Sequence, residues 1–281
     1  MGGVDIFEEI VRLRREGRRA ALATIVNVRG SIPSFSTAKM LVRDDGSIEG
    51  TIGGGCVEAE VWQAAREVIE TEKARTLRFD LNQNPKYDTG LVCGGTLEVF
   101  VEPVLPVSHL YIFGAGHVAF SLYKVARLAG FDVTVIDDRE SYANRDRFPE
   151  ARDVYADDFE RVMEQLAPTE SDYMVIVTRG HRDDMRVLRW AVDLPRPVRY
   201  LGMIGSKRKV ISVYRELEKE GMAREKFARV HAPVGLEIGA ITPEEIAVAI
   251  VAEMIAHRRG AAPGVPSKRY ATEPDESSVE S

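Results

Sequence analysis

The run Leu110-Tyr111-Ile112-Phe113, leading straight into Gly114-Ala115-Gly116-His117-Val118-Ala119, limits the possible folds of this chain more than any other segment. Four apolar residues predict a buried strand, and the residues from His117 on predict a helix. Between them, Gly114 permits a tight turn, Gly116 lets backbone approach a pyrophosphate, and Ala119 lets the helix pack on the strand. The next apolar run, Val133-Thr134-Val135-Ile136, ends in Asp137-Asp138. That is near the spacing of roughly 20 residues expected for a ribose-binding carboxylate. Strands are predicted at His109–Phe113, Asp132–Ile136, Asp172–Thr178 and Val198–Met203. Helices are predicted over residues 117–129, 158–166, 183–192, 206–220 and 243–258. Strand–helix alternation of this kind predicts a parallel, doubly wound, Rossmann-like sheet.

The first hundred residues read differently. Ile6, Phe7, Ile10, Val11 and Leu13 form a helical stripe over residues 4–16, with Gly17 as its stop. Ala20 to Val28 and Lys39 to Arg43 read as strands, and Asp44-Asp45-Gly46 as a turn into another. Gly53-Gly54-Gly55 opens a helix over residues 56–72. Leu77 to Leu81 and the alternating Thr96 to Val101 are further strands. Pro103 and Pro106 bracket a segment that cannot be a central strand. The expected organisation is a small α+β domain over 1–104, a Rossmann-like domain over 105–260, and a disordered tail over 261–281, rich in Pro, Ser and acidic residues. The overall class is α/β.

Both cysteines of the chain lie beside glycines, Cys56 in Gly53-Gly54-Gly55-Cys56 and Cys93 in Cys93-Gly94-Gly95. A helix N-terminus would stabilise a Cys56 thiolate, and a thiolate is a soft metal ligand and a nucleophile. The other reading of each is a small structural cysteine in a tight turn. Zinc is not expected, because there is no CxxC pair and no His cluster of the usual spacing. Arg29-Gly30-Ser31-Ile32-Pro33 reads as a polar loop after a strand, able to hold an anion or only to turn the chain. On the rim of the doubly wound sheet, the loops Thr178-Arg179-Gly180-His181 and Gly205-Ser206-Lys207 add Arg179, His181, Ser206 and Lys207 to the glycine loop. Ser and Lys at a helix start suit a phosphate, although a solvated basic face is the alternative. No proton-relay set stands out beyond His117 and His181, so no catalytic residue is assigned.

Net charge is −6, which argues against nucleic acid or an anionic membrane surface as partner. No apolar run approaches the roughly 20 residues of a membrane span. Met1-Gly2-Gly3-Val4-Asp5 carries neither a basic start nor an apolar signal region, so a cytoplasmic protein with reduced thiols is expected. A homodimer is expected only from the frequency of two-fold pairing.

Taken in order, these segments resemble the xanthine dehydrogenase accessory protein family (XdhC/CoxI). The resemblance rests on Val28-Arg29-Gly30-Ser31, Gly53-Gly54-Gly55-Cys56-Val57-Glu58, Cys93-Gly94-Gly95, Phe113 to Ala119, Ile136-Asp137-Asp138-Arg139, Thr178 to His181 and Gly202 to Lys207. The stretches His231 to Ala240 and Thr242 to Ala247 also resemble the family's closing motif. The resemblance implies a maturation chaperone that binds molybdenum cofactor (molybdopterin), protects it, and helps its sulfuration and its insertion into a molybdenum hydroxylase apoenzyme. It implies a sulfurtransferase as a further partner, and an accessory protein rather than a turnover enzyme. Carried over by residue, the cysteine motif falls on Cys56, the candidate molybdenum contact, with Cys93 second. The nucleotide fingerprint falls on Gly114, Gly116 and Asp137. The competing reading is an NAD(P)-dependent oxidoreductase acting on a small molecule, which leaves the first half without a role.

Overall fold

The computed structural model describes residues 5–31, 37–81 and 94–261 of the 281. Packing divides the chain into two units. The first holds residues up to Leu110 together with Ala167–Tyr173 and Pro195–Arg199, and the second holds the remainder. This differs from a single cut at 104, because two short segments of the later sequence pack with the first unit. Arg199 pairs with Glu72 at 2.9 Å, and the Ser171 hydroxyl donates to the Gly17 carbonyl at 3.1 Å.

The first unit is a five-stranded antiparallel sheet between two helices. Its elements are α1 (Ile6–Arg15), β1 (Ala20–Ser31), β2 (Lys39–Arg43), β3 (Ile48–Gly50), α2 (Gly55–Thr71), β4 (Arg75–Asp80) and β5 (Gly94–Val104). The strand order is β3-β2-β1-β5-β4. Alternation along β1 serves both faces of the sheet. Ala21, Ala23 and Ile25 join Val61, Ala65 and Val68 of α2 in one core. Ala20 and Leu22 join Leu13 of α1 and Leu41 in the other. Asp5 caps α1, accepting from the Phe7 N–H at 2.7 Å. Acids in the first turn and arginines in the last complement the helix dipole.

β1 runs three residues past its predicted end. Arg29, Gly30 and Ser31 are not loop but strand, paired with Thr96, Gly95 and Gly94 of β5. The reason is steric: a Cβ on Gly95 would overlap the Arg29 carbonyl oxygen, so two glycine-bearing backbones close on each other there. β5 likewise runs on through Pro103, opposite Ala21. Pairing with β4 ends at Val101, so the proline stands where β5 has one neighbour only.

The second unit is built on a six-stranded parallel sheet. Its strands are β6 (His109–Phe113), β7 (Asp132–Asp137), β8 (Asp153–Ala156), β9 (Tyr173–Ile176), β10 (Tyr200–Met203) and β11 (Val230–His231). Its helices are α3 (His117–Leu128), α4 (Phe159–Met163), α5 (His181–Val192), α6 (Lys207–Lys219) and α7 (Pro243–Arg259). The order β11-β10-β9-β6-β7-β8 is the doubly wound Rossmann arrangement, with its switch point between β6 and β9. β8 and β11 are not expected from the sequence: β9 and β10 are as short as β8 but are buried throughout, whereas β8 and β11 are half-exposed and carry no apolar run. Each has a parallel partner, β7 and β10 respectively. Ala119 is fully buried, the close helix–strand packing that the fingerprint requires. Thr242-Pro243-Glu244-Glu245 starts α7 with a full capping box and proline in the first turn.

Candidate functional site

Two groups of candidate residues can be built from the chain, one in each unit. In the first unit the edge strand β3 leads into Gly53-Gly54-Gly55, whose φ angles of 121°, 76° and 68° are all in the region that favours glycine. Gly54 is the N-cap of α2, and no side chain caps the helix. A Cβ on Gly54 would meet nothing within 4 Å, so the space over this helix start is open. Cys56 sits in the first turn and is exposed, not buried in a tight turn. Glu58 folds back on the loop, accepting from the Thr51 hydroxyl at 2.6 Å and the Gly54 N–H at 3.2 Å. It fixes the backbone on which the thiol is presented.

The register separates the two glycine-bearing segments of this unit. Gly50, the end of β3, pairs with Met40, which stands opposite Ala23 of β1, whereas Gly94 pairs with Ser31 at the far end of that strand. Cys93 itself lies outside the described residues, as do Ile32 and Pro33 and the expected tail from residue 262. Among the described residues no group of three or more His, Cys, Asp or Glu is arranged to hold a metal ion. No helix among them is long and apolar enough to cross a membrane.

In the second unit the candidate residues line the carboxyl ends of the strands. Gly114 leaves β6 with φ 118°, and its α-carbon lies so close to the end of β9 that a Cβ would overlap the Val177 carbonyl. Gly116 has an ordinary φ and no neighbour within 4 Å of a built Cβ; it caps α3 with no side-chain bond. The α3 start is therefore open, with His117 exposed as its first residue. Arg179 follows β9 and pairs with Asp138 beyond β7 at 2.7 Å. In the strand order these two loops flank the glycine loop.

His181 is not in the loop but is the first residue of α5, two residues earlier than predicted. Asp184, fully buried, ties the first turns of that helix to its neighbours. It accepts from the Thr178 hydroxyl at 2.6 Å and meets Lys209 Nζ at 2.5 Å, joining β9, α5 and α6 below the rim. Ser206 caps α6 by accepting from the Lys209 N–H at 3.2 Å, which leaves Lys207 exposed at the helix start. β9 stands between this corner and the glycine loop.

Asp137 departs most from expectation. Instead of presenting a carboxylate to a ribose, it is buried and accepts from the Ala115 N–H at 2.8 Å and from Arg139 Nε at 2.8 Å. Burial alone would raise its pKa, but the bonds from Arg139 and the Ala115 N–H outweigh that and hold it below the ordinary carboxylate range. The sequence marks Arg139 only as the neighbour of the two acids, and Arg147 not at all. Arg147 donates to the carbonyls of Ala115 at 2.8 Å and Tyr142 at 2.7 Å, tying down the glycine loop from below. Only the adjacency of Arg139 to the acid could have signalled the first; nothing local signals the second.

The closing segment is fixed by Glu253 of α7. Its carboxylate accepts from the Tyr200 hydroxyl at 2.5 Å and the Gly235 N–H at 2.8 Å, and lies 3.4 Å from His231 Nδ1. Burial and this carboxylate push the Tyr200 hydroxyl well above its ordinary pKa, so it stays a donor. A cavity of about 370 Å³ lies beside the segment, bounded by Lys207, Pro233 and Ile238 among others.

Comparison with known proteins agrees with the fold of both units. Residues 110–254 match the family described as the XdhC Rossmann domain, and residues 13–80 match the XdhC and CoxI family. The chain is 36% identical over 266 residues to YqeB of Escherichia coli K12, described as uncharacterised. That alignment covers 94% of this chain and 48% of YqeB, so the chain spans about half of that relative's length. It is 23% identical over 303 residues to the molybdenum cofactor insertion chaperone PaoD of the same organism, covering 90% of this chain and 88% of PaoD. The crystal structure of a xanthine dehydrogenase from Bacillus halodurans superposes with a TM-score of 0.50 at 24% identity, over 96% of this chain and 98% of that one, which shows the shared fold.

Proposed function

The chain belongs to the XdhC and CoxI family, and from that premise we propose that it carries molybdenum cofactor to a molybdenum hydroxylase apoenzyme. It protects the cofactor, keeps it available for sulfuration by a sulfurtransferase, and assists insertion. The name of the relative PaoD supports this reading. The observation that carries it is the exposed Cys56 thiol on an uncapped, glycine-opened helix start.

The donor set suits such a cargo. Molybdenum cofactor is a pterin dithiolene with a phosphate, so its metal travels with sulfur ligands of its own. It needs one soft protein donor and anion-binding N–H groups, not a multi-residue cage. Cys56 is assigned to the molybdenum or its exchangeable sulfur, with Cys93 as second candidate. Gly53, Gly54 and Gly55 are assigned to letting the cofactor approach the backbone; the Gly54 N–H is given to Glu58 and the Gly53 N–H to the Thr51 hydroxyl, so the anion contact falls to the first turn of α2. On the rim of the second unit, Gly114, Gly116, His117, Arg179, His181, Ser206 and Lys207 are assigned to a phosphate-bearing group, of the cofactor or of a separate nucleotide. Asp137 acts there by holding Ala115 and Arg139. The reading places the protein in the cytoplasm, where thiols stay reduced, and permits a homodimer.

The test is anaerobic binding of molybdenum cofactor by the purified protein, wild type beside Cys56→Ser. The expected result is saturable wild-type binding that weakens at least tenfold in the variant, or about 1.4 kcal/mol. Equal affinities would remove sulfur from the site. No binding by either protein would overturn the carrier reading.

A further inference from the structure

The second unit has the backbone of a dinucleotide site, yet the acid that would read a dinucleotide is already engaged. Asp137 Oδ1 accepts from the Arg139 N–H at 3.1 Å and Arg139 Nε at 2.8 Å. Its Oδ2 accepts from the Ala115 N–H at 2.8 Å and Arg139 Nη2 at 2.9 Å. An ionised carboxylate offers about four lone-pair positions, and all are taken. The side chain is only 3% exposed.

A ribose diol at the end of the second strand is recognised by donating to this carboxylate. Here that would require Arg139 to leave a bidentate, charge-assisted pair and strand a buried charge. Arg139 is held from its other side as well, with its guanidinium 3.9 Å from the Tyr142 ring centroid. A neutral diol offers too little to displace it. What the rim presents instead is cationic. The Arg139 side chain is 25% exposed and that of Arg179 is 51% exposed. Asp138 takes one bond from Arg179, through Nη2, and the remaining donors of that guanidinium are left for a second anion.

We propose that Arg139 determines specificity at this rim: by filling Asp137 it excludes ribose-diol recognition, and the rim takes its ligand through phosphate, with Arg179 keeping Asp138 paired and giving its remaining donors to that anion. This deepens the function proposed above and rests on its placing of a phosphate-bearing group at the rim. Arg139 is a positioning residue with respect to Asp137 and need not touch the ligand.

The experiment is calorimetric titration of the full chain with ADP, with 2′,3′-dideoxy-ADP and with inorganic pyrophosphate. The wild type should bind all three, with ADP and its dideoxy analogue within twofold of each other. Arg179→Gln should weaken all three at least threefold. Arg139→Ala should bind ADP at least tenfold more tightly than the dideoxy analogue, because Asp137 then keeps its two backbone N–H bonds and has two acceptor positions released. A tenfold preference of the wild type for ADP over its dideoxy analogue would overturn the proposal, and needs no variant to fold. So would absence of binding of all three. Neither result bears on Cys56, whose cofactor experiment stands or fails separately.

Discussion

Glu9 shows how a single buried charge couples this fold to pH. It is 3% exposed on α1 and bonds Arg12 Nη2 and Arg43 Nε, each at 2.7 Å. Hydrogen bonds from Arg12 and Arg43 hold its carboxyl down to about 2, from an ordinary 4.5. A depressed folded-state value means the stabilisation is complete above 4.5 and is lost as pH falls from there toward about 2. Glu9→Gln should therefore cost about 2 kcal/mol at pH 7, by taking from Arg43 the nearer of its two carboxylates and leaving it Glu49 at 3.3 Å. The variant should also show a flatter loss of stability between pH 4.5 and 2. Urea unfolding at pH 7 and pH 3 measures both; parallel pH profiles for the two proteins would remove Glu9 as the coupled group. At this scale the sequence reveals residue types but not partners. Nothing local distinguishes Glu9 from the exposed Glu8, because their difference lies in what β2 brings to the helix.

At the scale of elements, the two glycines of the fingerprint do different work and should fail differently. Gly114 has φ 118° and no room for a Cβ beside Val177. Gly114→Ala should cost about 3 kcal/mol in stability through strain and overlap. Gly116 has an ordinary φ and open space, so Gly116→Ala should cost under about 1 kcal/mol while its methyl group intrudes over the α3 start. Thermal melting beside pyrophosphate titration separates them: Gly116→Ala should melt like wild type and bind the anion more weakly. Equal melting losses for both variants would refute this division. The helices and the longer strands were legible because their signals are local, as in the α7 start at Thr242-Pro243-Glu244-Glu245. Strand ends were less legible. Arg29 to Ser31 became strand only because Gly94 and Gly95, more than sixty residues later, let two backbones close.

On the scale of the whole molecule, the units do not follow a single cut in sequence. Ala167–Tyr173 and Pro195–Arg199 belong with the first unit. A fragment of residues 1–110 lacks both, and with them the partner of Glu72. It should be digested faster by protease than the same residues in the full chain; equal resistance would mean the two segments add nothing to that unit. What the sequence determined alone was the strand–helix alternation, the glycine turn after β6, a cysteine at a glycine-opened helix start and the family, because each is read from short contiguous runs; that Cys56 is exposed there was decided by the structure. Only tertiary structure decided that Asp137 is spent on Arg139 and Ala115, that Asp184 is paired with Lys209, and that Arg179 reaches Asp138. A carboxylate's role depends on which donors reach it in three dimensions, and residues at the ends of neighbouring strands meet only once the sheet has formed.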